Sequence, residues 1–189
     1  MAKRIIILAS GSGSNAENIF EFFKDDSSVD VVAFATNKRE AGIYERAERL
    51  GVPMLHFSKT ELNNPDALLP SLDALNLDLI VLAGFLLKMP TFLVDAFPNK
   101  IVNIHPSLLP KFGGKGMYGM NVHKAVKEAG EATSGMTIHW VNANYDEGAI
   151  IHQESTPIEK QDTPSDIAKK VQALEYKHYP VIIKKLLQS

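Results

Sequence analysis

The sequence predicts an α/β fold, a doubly wound and mostly parallel sheet with helices on both of its faces. Two features of the pattern support this prediction. Short apolar runs bounded by turn residues recur along the chain, as is typical of parallel strands that are buried on both faces. Segments with helical periodicity separate these runs, and alternation of this kind indicates crossover connections within one sheet.

The first part of the chain supplies five predicted strands and four predicted helices. The strands are expected over residues 3–9, 29–35, 53–57, 78–83 and 101–104. The helices are expected over residues 15–24, 42–50, 66–75 and 90–97. Pro70 lies inside the third of these helices, where a proline removes one backbone hydrogen bond.

The pattern changes in the second part of the chain. Residues 105–120 contain two prolines and four glycines, and a loop of this length in a compact domain tends to be functional. A short helix over residues 121–129 and strands over residues 135–141 and 149–154 are expected to follow.

A last helix is expected to begin after Thr163. The Thr163 side chain can cap it in a reciprocal pair with Asp166, and Pro164 suits the first helical position. Pro180 predicts a kink farther along this helix.

Length, charge and composition limit the class of protein. A chain of 189 residues fits one domain, residues 1–189. The 20 basic and 22 acidic residues give a net charge of −2, which disfavours a dedicated nucleic-acid binder. Cysteine is absent, which excludes thiol nucleophiles and cysteine-bound zinc. No window approaches the roughly 18 apolar residues of a membrane span. We therefore expect a soluble, cytoplasmic protein with no membrane or nucleic-acid partner, either a monomer or a homodimer.

A glycine-rich segment, Gly11-Ser12-Gly13-Ser14-Asn15-Ala16, follows the first predicted strand. Glycines at this position let backbone amides and a helix N-terminus approach a phosphate closely. A purely structural alternative is a capping box formed by Ser14 and Glu17. A dinucleotide site would also need an acidic residue about 20 positions later. The second strand is followed instead by Lys38 and Arg39, which disfavours NAD and leaves NADP open.

Two polar residues, Asn103 and His105, lie at the end of the fifth predicted strand. Residues two apart on a strand face the same way, and ligands of open α/β sheets bind at this end of the strands. An amide and an imidazole directed to one point can stabilise an oxyanion. The structural alternative is a satisfied histidine at a strand end.

Asp146 precedes Glu147 and Gly148 in a predicted turn. A turn aspartate is common as loop chemistry alone. If it lies beside His105, its charge would raise the pKa of the imidazole and offer a proton relay. The remaining five histidines, at positions 56, 123, 139, 152 and 178, show no zinc-ligand spacing, so no metal site is expected.

Three segments resemble the folate-dependent formyltransferase family: residues 11–15, residues 135–148 and, most specifically, Asn-Ile-His-Pro-Ser-Leu-Leu-Pro at residues 103–110. The resemblance covers essentially the whole chain and implies a Rossmann-like formyltransferase domain. It implies transfer of the formyl group of 10-formyltetrahydrofolate, a co-substrate, to the amine of 5-phosphoribosylglycinamide in purine biosynthesis. The implied partners are these two small molecules, and the resemblance implies no metal.

The resemblance also implies roles for individual residues. Asn103, His105 and Asp146 match the catalytic positions, where Asn103 and a protonated His105 stabilise the oxyanion and Asp146 favours the imidazolium. Two binding sets are implied as well. The ribotide set is Gly13, Ser14, Asn15, Ala16, Glu17, Gln172 and Glu175. The folate set is Leu86, Leu87, Lys88, Met89, Asn103, Val141 and Asp146.

Other functions remain open at this point. A formyltetrahydrofolate deformylase-like hydrolase shares the fold and the Asn-His-Asp chemistry, as does methionyl-tRNA formyltransferase, which would add an RNA-binding domain. An NADP-dependent oxidoreductase would use the glycine loop with Lys38 and Arg39. A non-catalytic ribotide-binding module would bind the phosphate without turnover.

Overall fold

The computed structural model describes residues 1–144 and 146–188, and within them the strands form one sheet. The strands are β1 (Lys3–Leu8), β2 (Val29–Thr36), β3 (Met54–His56), β4 (Leu79–Leu82), β5 (Ile101–His105), β6 (Thr133–Trp140) and β7 (Ile150–Pro157). Their order across the sheet is β3-β2-β1-β4-β5-β6-β7. The first five strands are parallel, and β6 and β7 are antiparallel to their neighbours.

Helices cover both faces of this sheet. They are α1 (Ser14–Phe23), α2 (Ile43–Leu50), α3 (Lys59–Leu62), α4 (Pro65–Asp73), α5 (Thr91–Ala96), α6 (Met120–Glu128) and α7 (Pro164–Gln188). Residues of α1, α2 and α7 belong to one apolar core, and residues of α3, α4 and α5 belong to a second core on the other face. The predicted doubly wound α/β architecture is therefore confirmed.

The one-turn helix α3 was not predicted, although Ser58 and Glu61 form a capping box at its start. Helix α7 continues for 25 residues and contains Pro180, so the proline does not end the helix, and the kink there stays a prediction. Its predicted start is confirmed, because Thr163 and Asp166 cap it reciprocally.

The strand order creates a crevice beside β1. The chain leaves β1 for β2 on one side and later returns to β4 on the other, and ligands of open α/β sheets bind at such a reversal point. The loops that follow β1 and β4 are joined there, because the Ser10 amide donates to the Gly84 carbonyl at 3.0 Å. The Leu86 amide donates to the Ser10 hydroxyl at 2.9 Å.

Helix α7 is fixed under the sheet by a buried tyrosine. The Tyr179 hydroxyl donates to the carbonyl oxygen of Leu82 at 2.9 Å and lies 3.3 Å from that of Val102. This contact holds α7 beneath β4 and β5, whose carboxyl ends border the crevice. Over residues 1–144 and 146–188, no helix combines the length and the apolar character that crossing a bilayer requires.

Candidate active site

A cavity of about 760 Å³ occupies the crevice at the carboxyl ends of β1, β4 and β5. This volume is in the usual range for a small-molecule site. Its walls come from the glycine loop, the segment after β4, the end of β5, the residues that precede α6, and α7. Loops that are distant in the sequence therefore meet around one space.

The glycine loop presents the start of α1 to the cavity. Gly13 is the N-cap residue in the left-handed region at φ 74°, and no side chain caps the helix. A Cβ on Gly13 would lie 2.7 Å from Cγ1 of Ile43, so only glycine fits without a shift. An uncapped helix N-terminus on a glycine turn is suited to bind an anion. The Ser14–Glu17 capping box, the structural alternative, is not formed.

Two polar side chains of α7 face this loop. The Asn15 amide donates to Oε2 of Glu175 at 2.8 Å, and the Gln172 amide lies 3.5 Å from the Ser14 hydroxyl. Burial raises the pKa of the Glu175 carboxyl, and the hydrogen bond from Asn15 only partly opposes that shift. A carboxyl that stays protonated more readily presents less negative charge to an incoming anion.

The predicted ribotide set divides into two groups. Gly13, Ser14, Asn15, Gln172 and Glu175 all line the cavity. Ala16 instead packs in the apolar core, and Glu17 forms ion pairs with Arg46 and Arg49 of α2. The side chains of Ala16 and Glu17 are therefore turned away from the cavity.

Asn103 and His105 both line the cavity from the end of β5, as their shared strand face predicted. The His105 ring is buried, and its Nε2–H donates to the Phe112 carbonyl at 2.8 Å. Its Nδ1 lies 3.6 Å from Oδ2 of Asp146. The predicted approach of Asp146 to His105 is thus present, with the second ring nitrogen directed at the carboxylate.

The Asp146 charge raises the pKa of His105 as expected, but the net shift is downward. Burial lowers the pKa of this imidazole, and the Asp146 charge and the Phe112 carbonyl offset only part of the effect. Desolvation disfavours the charged ring more than one carboxylate at 3.6 Å favours it. The lowered pKa therefore favours the neutral imidazole.

Asp146 is held in an unusual backbone conformation. Its φ is 56°, a left-handed value that aspartate tolerates better than most residues, and its Oδ2 accepts from the Gly114 amide at 2.9 Å. Burial alone would raise the pKa of this carboxyl, but its contacts with His139, His105 and the Gly114 amide bring it below its usual value. Asp146 is thus ionised beside a neutral His105.

Gly148, two residues after Asp146, is required in this turn for a steric reason. A Cβ on Gly148 would collide with the carbonyl oxygen of Trp140. Glycine therefore lets the turn pack directly against the end of β6, which keeps Asp146 next to the histidines.

His139 belongs to the site although the sequence analysis assigned it no role. It lies opposite Asn103 in the β5–β6 register. Its Nε2 is 3.1 Å from Nδ2 of Asn103 and 3.6 Å from Oδ1 of Asp146, and its Nδ1–H donates to the Trp140 carbonyl at 2.9 Å. The sequence pattern does not show that β5 pairs with β6, and without that pairing His139 could not be placed beside Asn103.

The predicted folate set is also divided. Leu86, Asn103 and Asp146 line the cavity. Met89 is buried in the second apolar core, and Leu87 and Val141 pack against that core. Lys88 is exposed and is not among the lining residues. Only three of the predicted folate contacts therefore have side chains at the cavity wall.

The loop before α6 contributes wall residues that were not predicted. Lys115 and Tyr118 line the cavity, as does His123 on α6. Burial, and to a lesser extent the neighbouring His105, lower the pKa of His123. Lys111, earlier in the same loop, is not among the residues that line the cavity, and its Nζ lies 2.8 Å from Oε1 of Glu131.

Comparisons with known proteins identify the family. The formyl transferase family model matches residues 3–183. The chain is 45% identical over 187 residues to the chloroplastic phosphoribosylglycinamide formyltransferase of Arabidopsis thaliana, covering 96% of this chain and 64% of that protein. It is 35% identical over 190 residues to the Bacillus subtilis phosphoribosylglycinamide formyltransferase, covering 98% of this chain and 95% of that protein.

A solved structure agrees with this result. The fold matches the crystal structure of phosphoribosylglycinamide formyltransferase from Anaplasma phagocytophilum with a TM-score of 0.89 and 33% identity, covering 100% of this chain and 88% of that one. The chain spans less than two thirds of the length of the Arabidopsis relative but nearly all of the Bacillus relative. On its sequence and its fold, the chain belongs to the formyl transferase family.

Proposed function

We propose that this protein transfers the formyl group of 10-formyltetrahydrofolate to the amine of 5-phosphoribosylglycinamide, a step of purine biosynthesis. The observation that carries the proposal is the convergence of Asn103, His105 and Asp146 in a cavity that also contains an uncapped glycine loop. One end suits acyl-transfer chemistry and the other suits a phosphate. The names of the relatives support the same activity.

The ribotide phosphate is proposed to bind at the glycine loop. The N-terminal amides of α1 and the Ser14 hydroxyl would donate to its oxygens, since helix N-termini favour anions. Gln172 and Glu175 on α7 lie against the same loop and would contact the ribose or the glycinamide. Gly13 would let the backbone approach the phosphate, and we retain no phosphate contact for the side chains of Ala16 and Glu17.

The folate is proposed to enter along the segment after β4. Leu86 lines the cavity there, and the backbone of residues 86–89 would face the pterin. Lys115 and Tyr118 lie in the same cavity, where a cation and an aromatic ring could contact an anionic, aromatic substrate. The reaction as proposed uses no metal ion.

The proposed chemistry is a direct attack. The substrate amine adds to the formyl carbon, and the oxyanion that forms accepts a hydrogen bond from the Asn103 amide. His105, neutral at rest, takes the amine proton and becomes an imidazolium paired with Asp146. The proton then passes to N10 of the folate as the bond between N10 and the formyl carbon breaks. His139, 3.1 Å from the Asn103 amide nitrogen, would hold that amide in place.

The alternatives have less support. The deformylase-like hydrolase would use the same three residues, but it leaves the ribotide half of the cavity without a purpose. For the NADP-dependent oxidoreductase, Lys38 and Arg39 line a separate, second cavity beside the glycine loop, away from His105 and Asp146. We further propose that residues 1–189 act as one formyltransferase domain and that the protein is cytoplasmic.

The test is a spectroscopic assay of folate conversion with and without 5-phosphoribosylglycinamide. We expect conversion only when the ribotide is present. Asn103→Ala should lower kcat by roughly 10²–10³, the value of one oxyanion donor. The exposed Asn63→Ala, whose amide donates only to the Lys59 carbonyl among the described contacts, is the matched control. Conversion without the ribotide would favour the hydrolase, and no conversion by folded protein would contradict both.

A further inference from the structure

Two histidines and a glutamate meet at the edge of the sheet, away from the cavity. His152 and Glu154 belong to β7, and His178 belongs to α7. Oε2 of Glu154 lies 3.9 Å from Nε2 of His152 and 3.8 Å from Nε2 of His178. The two rings are stacked, with centroids 5.4 Å apart and planes inclined by 26°. All three side chains are half-buried, and none lines the active-site cavity.

The fold brings these residues together although the sequence does not. Residues 152 and 154 are two apart on one strand and share a face. They lie opposite Ile138 and Met136 of β6, which belong to the apolar core that α7 covers. His178 reaches the same face from that helix. The separation of 24 positions between Glu154 and His178 follows no zinc-binding motif, so no metal was expected from the sequence.

One ligand atom of this cluster lacks a hydrogen bond. Nε2 of His152 is buried and has no hydrogen-bond partner among the described residues. A buried nitrogen without a partner is costly unless another group satisfies it. A neutral imidazole is the form that binds a metal ion.

We propose that His152, Glu154 and His178 bind one divalent transition-metal ion of the Zn²⁺ type. Two imidazole nitrogens and a carboxylate oxygen are a donor set that zinc accepts, and water completes four-coordinate geometry. With ligand bonds of about 2.0–2.1 Å, the ligand atoms of a tetrahedral site lie about 3.4 Å apart. The two distances from Glu154, 3.8 and 3.9 Å, need a contraction of about half an ångström, and all three ligand atoms lie within 4.8 Å of one another. Rotamer adjustment of the half-buried side chains would bring them to bonding distance.

The ion would connect the edge strand to the last helix. Within the described residues β7 pairs only with β6, so its outer edge is open, and His178 is one of the α7 residues that contact this strand. A bound ion would join the two elements by coordinate bonds. Because α7 also carries Glu175 into the cavity, the site would stabilise the helix that borders the glycine loop without entering the chemistry.

The experiment measures binding of Co²⁺ and Zn²⁺ to metal-free protein that carries no histidine tag. Co²⁺ bound to nitrogen and oxygen ligands of low symmetry gives a visible absorption band, and Zn²⁺ should remove it by displacement. We expect His152→Gln and His178→Gln each to weaken Co²⁺ affinity by roughly tenfold or more. The control His56→Gln, on the opposite edge strand β3, should bind like the unaltered protein.

A second readout separates binding from misfolding. Zn²⁺ should raise the melting temperature of the unaltered protein and of His56→Gln, because a ligand that prefers the native state stabilises it. The same addition should leave the melting temperature of His178→Gln unchanged, while its metal-free value shows that it folds. Absence of Co²⁺ binding, or binding that is equal in all the variants, would overturn the proposal.

Discussion

The two ends of the active-site cavity are built in different ways. The glycine-loop end relies on backbone geometry within a few residues, with Gly13 at φ 74° starting α1. The other end relies on polar side chains from β5, β6 and the turn after β6, which lie 3.1–3.6 Å apart. Local geometry leaves a recognisable sequence motif, whereas the meeting of His105, His139 and Asp146 depends on strand pairing.

This difference also separates the expected effects of substitutions. Changes at the side-chain end should affect the chemical step while the fold remains intact. Changes at the loop end should affect substrate binding and stability together, because the same backbone serves both. Three substitutions test this contrast.

Asp146→Asn should have the largest effect. Asparagine keeps the shape of the side chain and tolerates the left-handed backbone at φ 56°, but it removes the charge that stabilises protonated His105. We expect kcat to fall by roughly 10²–10⁴, the usual contribution of a positioned acid–base group. The KM of both substrates should change little. Steady-state kinetics, with thermal melting as the check on folding, would measure this, and a loss below about tenfold would contradict the role of Asp146.

Gly13→Ala should have an intermediate effect of a different kind. The left-handed backbone costs a non-glycine residue roughly 1–2 kcal/mol, and the new Cβ would lie 2.7 Å from Ile43. We expect the free energy of unfolding to fall by about 2 kcal/mol. The ribotide KM should rise by roughly tenfold, equivalent to about 1.4 kcal/mol, with a smaller change in kcat.

Gly11→Ala is the matched control for Gly13→Ala. It lies in the same loop without a positive φ, and a Cβ there would meet nothing within 4 Å. Its stability and ribotide KM should stay close to those of the unaltered protein. Equal effects of the two substitutions would show that the conformation of Gly13 is not what the loop requires.

Glu175→Gln should have the smallest effect, visible mainly in the pH dependence of stability. Burial raises the pKa of Glu175 in the native state, so above the ordinary glutamate range the unfolded chain loses this proton more readily than the native protein. This residue's contribution to stability therefore decreases as pH rises from the unfolded pKa through the raised native pKa. Glutamine cannot ionise, and its carbonyl can still accept from Asn15.

The measurement for Glu175→Gln is urea unfolding of both proteins over a pH series. The stability of the variant relative to the unaltered protein should be lowest at acidic pH and should increase as pH rises through the window between the two pKa values. A difference that stays constant with pH would contradict a shifted carboxyl at this position.

Features set by a short segment of sequence could be predicted, whereas features set by strand pairing or burial could not. The alternation of apolar strands and helices predicted the α/β sheet, because the apolar residues that each element buries recur with a period visible within that short segment of the sequence. Asn103, His105 and Asp146 were candidates from their positions at a strand end and in a turn, the resemblance implied their catalytic roles, and the structure brings them together. His139 was missed because its place depends on the β5–β6 register, and the lowered pKa of His105 was missed because burial is a property of the whole fold. Glu17 was assigned to the ribotide because nothing local indicated its pairing with Arg46 and Arg49.

The contact between Asn15 and Glu175 has a consequence for how the protein is made. These residues are 160 positions apart, so the glycine loop leaves the ribosome well before its partner helix. The strands up to β5 can pair while α7 is still being synthesised, but the loop then lacks its opposite wall. Contacts between such distant positions form late because loop closure must be paid for first. Ligand binding at the glycine loop would therefore report that the chain has been translated and folded as far as α7.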